Sequence, residues 1–136
     1  TTEIYTLSLH DALPIFSQER IQDQRERVPQ MKALARTSHR YEAILHRYLS
    51  DMGDAFDVIG RCLEPKGTLV LVCGDNLIAG QRIPTWRILA GMLADRQFCL
   101  FDSFKDRIAD RLLPPKRCGH KGLIKDEVVL AFKRRW

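Results

Sequence analysis

The sequence lacks the features that mark membrane and secreted proteins. Its longest apolar run, from Thr68 to Cys73, is far shorter than the roughly 18 residues that a transmembrane helix needs. No basic stretch precedes an apolar one near the N-terminus, so we expect no signal peptide. No Cys-x-x-Cys pair and no histidines at zinc-binding spacing occur among the four cysteines and four histidines. We therefore expect small, buried, reduced cysteines, no bound metal and a cytoplasmic location.

The composition is that of one folded domain with an uneven distribution of charge. Of the 136 residues, 45% are hydrophobic, which excludes wholesale disorder. The net charge of +5 comes from residues 76–136, which carry 13 basic and 6 acidic side chains. Residues 1–75 carry 9 basic and 11 acidic ones. A basic half can attract phosphate groups, although an ordinary solvated surface explains the same counts.

Three segments differ in their sequence pattern. Residues 1–16 have no regular period, and Tyr5–Ile15 resembles a translated sequencing adapter, so we expect a non-native leader outside the fold. Residues 17–40 read as a charged helical segment that Pro29 interrupts, followed by a short basic loop or frayed helix. Residues 41–136 form the main folded part.

The main part alternates between helix and strand. Apolar residues at steps of three and four predict a long helix from Tyr41 to Leu63, which Glu64–Gly67 ends with a proline and a glycine suited to a left-handed turn. The continuously apolar Thr68–Cys73 predicts a strand covered on both faces, as in a parallel sheet. A second helix follows, with Ile83, Trp86 and Leu93 among its apolar residues and Pro84 in its first turn. Further strands are predicted at 98–104 and 128–132, which makes the order typical of an α/β protein.

Four sequence pieces of this part occur together in one order. They are Arg61-Cys-Leu-Glu-Pro-Lys-Gly67, Val72-Cys-Gly-Asp-Asn76, Arg111-Leu-Leu-Pro-Pro115 and Asp126-Glu-Val-Val-Leu-Ala-Phe-Lys133. In this combination the chain from about Tyr41 to Arg134 resembles the C-terminal half of class I amino-group DNA methyltransferases, which use S-adenosylmethionine. The resemblance covers about 70% of the chain. The helix–Pro-x-Gly–strand piece alone is shared by most class I methyltransferases, and the other three pieces make the match more specific.

The resemblance implies an α/β fold, a cofactor and DNA as the partner of the parent enzyme. It implies a partial Rossmann-like methyltransferase sheet of about three strands, the last two antiparallel, with flanking helices. It also implies S-adenosylmethionine as the cofactor of the parent enzyme, DNA as its partner, and a missing N-terminal half of the same domain. The alternatives are a methyltransferase of the same fold that acts on RNA or another substrate, and a non-catalytic basic nucleic-acid-binding module.

No catalytic or cofactor-binding residue is carried over from that family. Its glycine-rich cofactor turn, of the Phe-x-Gly-x-Gly type, and its Asp/Asn/Ser-Pro-Pro-aromatic turn do not occur in this sequence. Leu113-Pro-Pro-Lys116 has the two prolines but neither the polar residue before them nor the aromatic residue after them. We therefore expect this chain to be inactive by itself.

Two groups of residues are candidate sites. Gly74, Asp75 and Asn76 follow a buried strand at the end where open α/β sheets bind ligands, so they form a possible substrate-side turn. An Asx turn that only ends the strand is the alternative. Basic side chains around the connection 109–125 could contact phosphates, or they could simply be solvated (Arg107, Arg111, Lys116, Arg117 and Lys121, with His120 among them).

Overall fold

The structure, a computed structural model, describes residues 28–107 and 126–135. The described elements are α1 (Pro29–Thr37), α2 (His39–Cys62), β1 (Thr68–Cys73), β2 (Asn76–Ile78), β3 (Gln81–Ile83), α3 (Thr85–Ala94), β4 (Phe98–Arg107) and β5 (Asp126–Arg134). The predicted leader at 1–16 and the beginning of the charged segment lie outside the described residues. In the part that the structure describes, no helix is long and apolar enough to cross a membrane.

Two helices open the described chain. The basic stretch after Pro29, predicted as a loop or a frayed helix, is the helix α1, and its Met31 and Leu34 side chains are fully buried. Ser38 separates it from α2, and its Oγ accepts a hydrogen bond from the Arg40 backbone N–H at 3.3 Å, as an N-cap residue does. The long helix predicted from Tyr41 is α2, which begins two residues earlier, at His39.

In the turn after α2, the left-handed conformation is at a different residue from the one predicted. The residue with a positive φ is Lys66, at 68°, and not Gly67. Gly67 is required for another reason, because a Cβ at this position would lie 2.8 Å from the Glu64 carbonyl oxygen. The Gly67 backbone N–H also donates to that oxygen at 2.8 Å. The glycine therefore permits a close approach, while a lysine takes the left-handed conformation.

The main sheet has three strands in the order β1-β5-β4, and both pairs are antiparallel. This confirms a mixed α/β fold with an antiparallel last pair. The prediction that β1 is covered on both faces is wrong among the described residues, since Val70 is 56% and Val72 53% exposed. β1 is instead an edge strand with one half-buried face. A continuously apolar sequence predicts a strand, but it does not show whether other elements cover both faces of that strand.

A small hairpin was not predicted from the sequence. The strands β2 and β3 pair antiparallel, and the two residues between them, Ala79 and Gly80, both have positive φ, at 49° and 77°. Two positive φ angles are typical of a type I′ hairpin turn. Asn76 consequently begins a strand, and Ile83 belongs to β3 and not to the helix that follows.

The core lies on one side of the sheet. Leu130 and Phe132 of β5 are buried there together with Phe56 of α2 and Leu89 and Leu93 of α3. α3 begins at Thr85, directly after Pro84. Trp86, predicted to be a core residue, is partly buried against this cluster.

Candidate functional site

The turn between β1 and β2 contains one of the two predicted groups, Gly74, Asp75 and Asn76. Its acidic side chain is held by an ion pair across the hairpin, since Arg82 Nε donates to Asp75 Oδ2 at 2.7 Å. The Asp75 side chain is only 16% exposed, whereas the Arg82 side chain is 76% exposed. The other carboxylate oxygen, Oδ1, is buried and makes no hydrogen bond to a described residue. The carboxylate is thus neutralised by a neighbour seven positions away.

Asn76 connects the hairpin to the beginning of α3. Its Nδ2 donates to Thr85 Oγ1 at 3.1 Å, and the Thr85 hydroxyl donates to the Ile83 carbonyl oxygen at 3.3 Å. Thr85 is 2% exposed, so these polar groups satisfy one another away from water. The chain of hydrogen bonds fixes the end of β3 against the first turn of α3. In the described structure, Asp75 and Asn76 therefore each make a contact that stabilises the fold.

Cys73, the last residue of β1, is not a nucleophile at neutral pH. Burial raises the pKa of its thiol to about 11, and the nearby carboxylates Asp75 and Glu127 contribute to the same direction. A thiol is a nucleophile only after it loses its proton. The neutral thiol of Cys73 is therefore a small packing group. Cys73 and Cys99 are half-buried and Cys62 is exposed, so the prediction of buried cysteines is wrong for Cys62, which lies at the solvent-facing end of α2.

Of the basic residues proposed to contact nucleic acid, only Arg107 is described. It is the last residue of β4, it is exposed, and it stands opposite Asp126, the first residue of β5. Arg111, Lys116, Arg117 and Lys121, with His120, lie outside the described residues. β4 and β5 are nevertheless adjacent antiparallel strands, so Arg107 and Asp126, which precede and follow the connection 108–125, lie at the same end of the sheet.

A groove that the sequence did not reveal runs between α2 and α3. It has a volume of about 860 Å³, and Val28 and Pro29 also line it. Arg96 of this groove donates from Nε to Asp57 Oδ1 at 2.7 Å, although the two residues are 39 positions apart. The hydrogen bond from Arg96 lowers the pKa of the Asp57 carboxyl. Neither Asp75 nor Asn76 lines the groove, so it is separate from the turn after β1.

Within residues 28–107 and 126–135, no group of three or more histidine, cysteine, aspartate or glutamate side chains could hold a metal ion. Comparison of the chain with protein-family models, with curated proteins and with solved structures found no match in any of the three.

Proposed function

We propose that this chain is the C-terminal part of an S-adenosylmethionine-dependent DNA methyltransferase that modifies an exocyclic amino group of adenine or cytosine. The observation that carries the proposal is the strand order. β5, the last strand, lies between β1 and β4 and is antiparallel to both. The methyltransferase resemblance implies an antiparallel last pair at this end of the domain, and the matching pieces Glu64–Gly67 and Gly74–Asn76 flank β1.

This part of the enzyme would supply framework and not the reacting groups. Methyl transfer requires the amine to lie in line with the sulfonium methyl, with its lone pair freed by hydrogen-bond acceptors. An enzyme that acts on a base in duplex DNA must also turn that base out of the helix. The sequence contains neither of the family's two motifs for these tasks. The half-buried carboxylate that follows β1, that of Asp75, is already paired with Arg82. We therefore assign no cofactor-binding role and no catalytic step to the described residues.

The connection between β4 and β5 would supply part of the DNA surface. In the related enzymes the corresponding connection lies beside the pocket for the target base. Arg107 begins this stretch, and four more basic residues follow it within the connection (Arg111, Lys116, Arg117 and Lys121). Contacts from such side chains to phosphates would position the enzyme on DNA without reading its sequence.

The test is to clone the complete reading frame that encodes this chain and to assay the purified product. Unmethylated DNA and a structured RNA are incubated separately with S-adenosylmethionine carrying a labelled methyl group. The nucleosides are then identified by mass spectrometry. We expect label in N6-methyladenine or N4-methylcytosine of DNA, and we expect residues 17–136 alone to transfer none. Label in RNA only would favour the RNA methyltransferase. Nucleic-acid binding without any transfer would favour the non-catalytic binding module.

A further inference from the structure

The groove between α2 and α3 has an apolar floor. Leu49 of α2 lines it and is buried, and Ile88 and Met92 of α3 line it and are partly buried. Gly91 of α3 also lines the groove, and a Cβ added there would meet no atom within 4 Å. The described residues therefore leave space above this glycine. An apolar floor of this kind gains free energy when another apolar side chain covers it.

The walls of the groove are charged, with an excess of aspartate. Three aspartates and two arginines line them (Asp54, Asp57, Asp95, Arg87 and Arg96). Arg96 is paired with Asp57, as described above. The other wall charges are two aspartates and one arginine. The walls therefore favour an occupant that has positive charges on both sides of an uncharged centre.

The chain enters the described fold at this groove. Val28, the first described residue, lines the groove and is 4% exposed. Pro29 follows it, and a residue before proline is kept out of the helical region; Val28 accordingly has a φ of −122° and a ψ of 87°. The residues before Val28 therefore cannot continue the axis of α1. Because Arg27 is bonded to Val28, the preceding segment, residues 17–27, begins at the wall of the groove.

The sequence of residues 17–27 has an uncharged stripe at the helical period. Ser17, Ile21 and Gln24 are separated by steps of four and three, and a further step of four reaches Val28. At about 100° per residue, the three arginines of the segment lie within about 90° of the centre of this stripe (Arg20, Arg25 and Arg27). Its three acidic residues lie about 130° or more from that centre (Glu19, Asp23 and Glu26). As a helix, the segment would have an uncharged stripe with arginines on both flanks and the carboxylates opposite.

We propose that residues 17–27 form a helix that occupies the groove between α2 and α3, with Ile21 on the apolar floor and the arginines beside the aspartates of the walls. The lengths agree, since eleven residues of helix span about 16 Å and the wall from Pro84 to Arg96 spans about 18 Å. A helix of this length is marginal by itself in water, so contact with the groove supplies its stability. The groove is then filled by the chain itself and is not a ligand site. The inference does not depend on the proposed function.

The experiment measures amide hydrogen exchange of the whole 136-residue chain by mass spectrometry. A synthetic peptide of residues 17–27 gives the exchange rate of the same sequence without the groove. Ile21→Asp places a charge in the uncharged stripe, and Gln22→Asp places the same charge outside it as the matched control. Gly91→Phe fills the open space in the groove, and Ala94→Phe, at an exposed position of α3 outside the groove, is its control. Circular dichroism and the exchange of α2 establish that each variant is folded.

We expect the amides of residues 21–27 to exchange about tenfold or more slowly in the wild type than in the peptide. Ile21→Asp and Gly91→Phe should restore the rate of the peptide, whereas Gln22→Asp and Ala94→Phe should keep the protection. Exchange at the peptide rate in the wild type would overturn the inference. So would protection that Gly91→Phe leaves unchanged, because the segment would then bind elsewhere. Protection that rises with protein concentration, together with a dimer in sedimentation equilibrium, would show that the segment binds a second copy, and it would also overturn the inference.

Discussion

At the scale of single residues, buried polar groups hold the hairpin and the helices in place. Thr85 has a central position because its hydroxyl both accepts from Asn76 and donates to the Ile83 carbonyl. His46 of α2 is likewise buried, at 4% exposure. Burial lowers the pKa of His46, and the charge of Glu42 opposes that shift in part. Both side chains therefore affect the free energy of unfolding, because a buried polar group costs free energy when it lacks a hydrogen-bond partner or becomes charged.

Thr85→Val should destabilise the protein although it conserves volume. The Asn76 amide would lose its buried acceptor and the Ile83 carbonyl its side-chain donor, which should cost about 1–3 kcal/mol of unfolding free energy. Thr37→Val is the control, since Thr37 is exposed at the end of α1. Urea unfolding followed by circular dichroism measures both. Equal effects of the two substitutions would contradict the role given to Thr85.

The unfolding free energy should fall as the pH is lowered from 7 to 5. The His46 pKa in the folded protein lies below its usual value of 6.5, so the unfolded chain takes up more protons in this range. The contribution of neutral His46 to the unfolding free energy is therefore fully present above pH 6.5, and it is lost as the pH falls through the lowered pKa of the folded state. His46→Gln should flatten the dependence, because it removes the group whose pKa is lowered by burial. Unfolding in urea at a series of pH values checks this, and an unchanged slope in His46→Gln would count against it.

At the scale of elements, the turn after α2 needs a positive φ at one residue and room for a close backbone approach at the next. Lys66 has the positive φ, and Gly67 has the close approach to the Glu64 carbonyl oxygen. Each position should therefore respond to substitution in its own direction. Non-glycine residues pay roughly 1–2 kcal/mol in the left-handed region, and a Cβ at 2.8 Å forces the backbone to move.

Lys66→Gly should stabilise the protein by up to about 1 kcal/mol, because relief of the left-handed strain exceeds the added freedom of the unfolded chain. Gly67→Ala should destabilise the protein. The backbone φ of Gly67 is open to alanine, but the added Cβ would lie 2.8 Å from the Glu64 carbonyl oxygen. Lys32→Gly, at an exposed position inside α1, is the control and should be destabilising. The midpoints of thermal unfolding rank the variants. A stabilising Gly67→Ala would show that the turn relaxes without cost.

The sheet is also an element with two unequal faces. Leu130→Ala, on the inner face, removes a fully buried side chain and should cost about 2–5 kcal/mol. Val72→Ala, on the opposite face, should cost less than about 1 kcal/mol, because the Val72 side chain is 53% exposed. Chemical unfolding of both variants makes the comparison. Similar losses would mean that the face that contains Val72 is covered in solution.

At the scale of the whole molecule, the uneven charge and the strand order bear on the proposed enzyme. The basic connection joins two adjacent antiparallel strands, and the residues on either side of it, Arg107 and Asp126, pair at one end of the sheet. Phosphate contacts made from such a connection contribute affinity that depends on salt, because they release counterions from DNA.

If the proposed function holds, Arg111→Ala together with Arg117→Ala in the proposed methyltransferase should weaken DNA binding equally for all sequences. Each lost phosphate contact should reduce the slope of log affinity against log salt by about one unit. Lys32→Ala with Arg36→Ala removes the same charge from α1 and serves as the control. DNA affinity at several salt concentrations is the measurement, with the melting temperature as a check on folding. Unchanged slopes in the Arg111 and Arg117 double variant would leave the connection as solvated surface.

The sequence by itself determined the elements whose signals are local. The stripe from Tyr41 to Leu63 repeats at the helical period, the run Thr68–Cys73 is apolar and β-branched, and proline and glycine mark the end of α2. The succession of helix, strand, helix and two strands was predicted for this reason. The resemblance added that the last two strands are antiparallel, which the sheet confirms.

Only the tertiary structure decided how these elements meet. The position of β5 between β1 and β4, the exposed second face of β1, and the pairs Asp75–Arg82 and Asp57–Arg96 all depend on contacts between distant positions. The hairpin of β2 and β3 was missed because each strand has three residues, which is too short for a two-residue period to be recognised. Local period and propensity act within a few residues, whereas pairing, coverage and ion pairs arise when burial brings separate segments together.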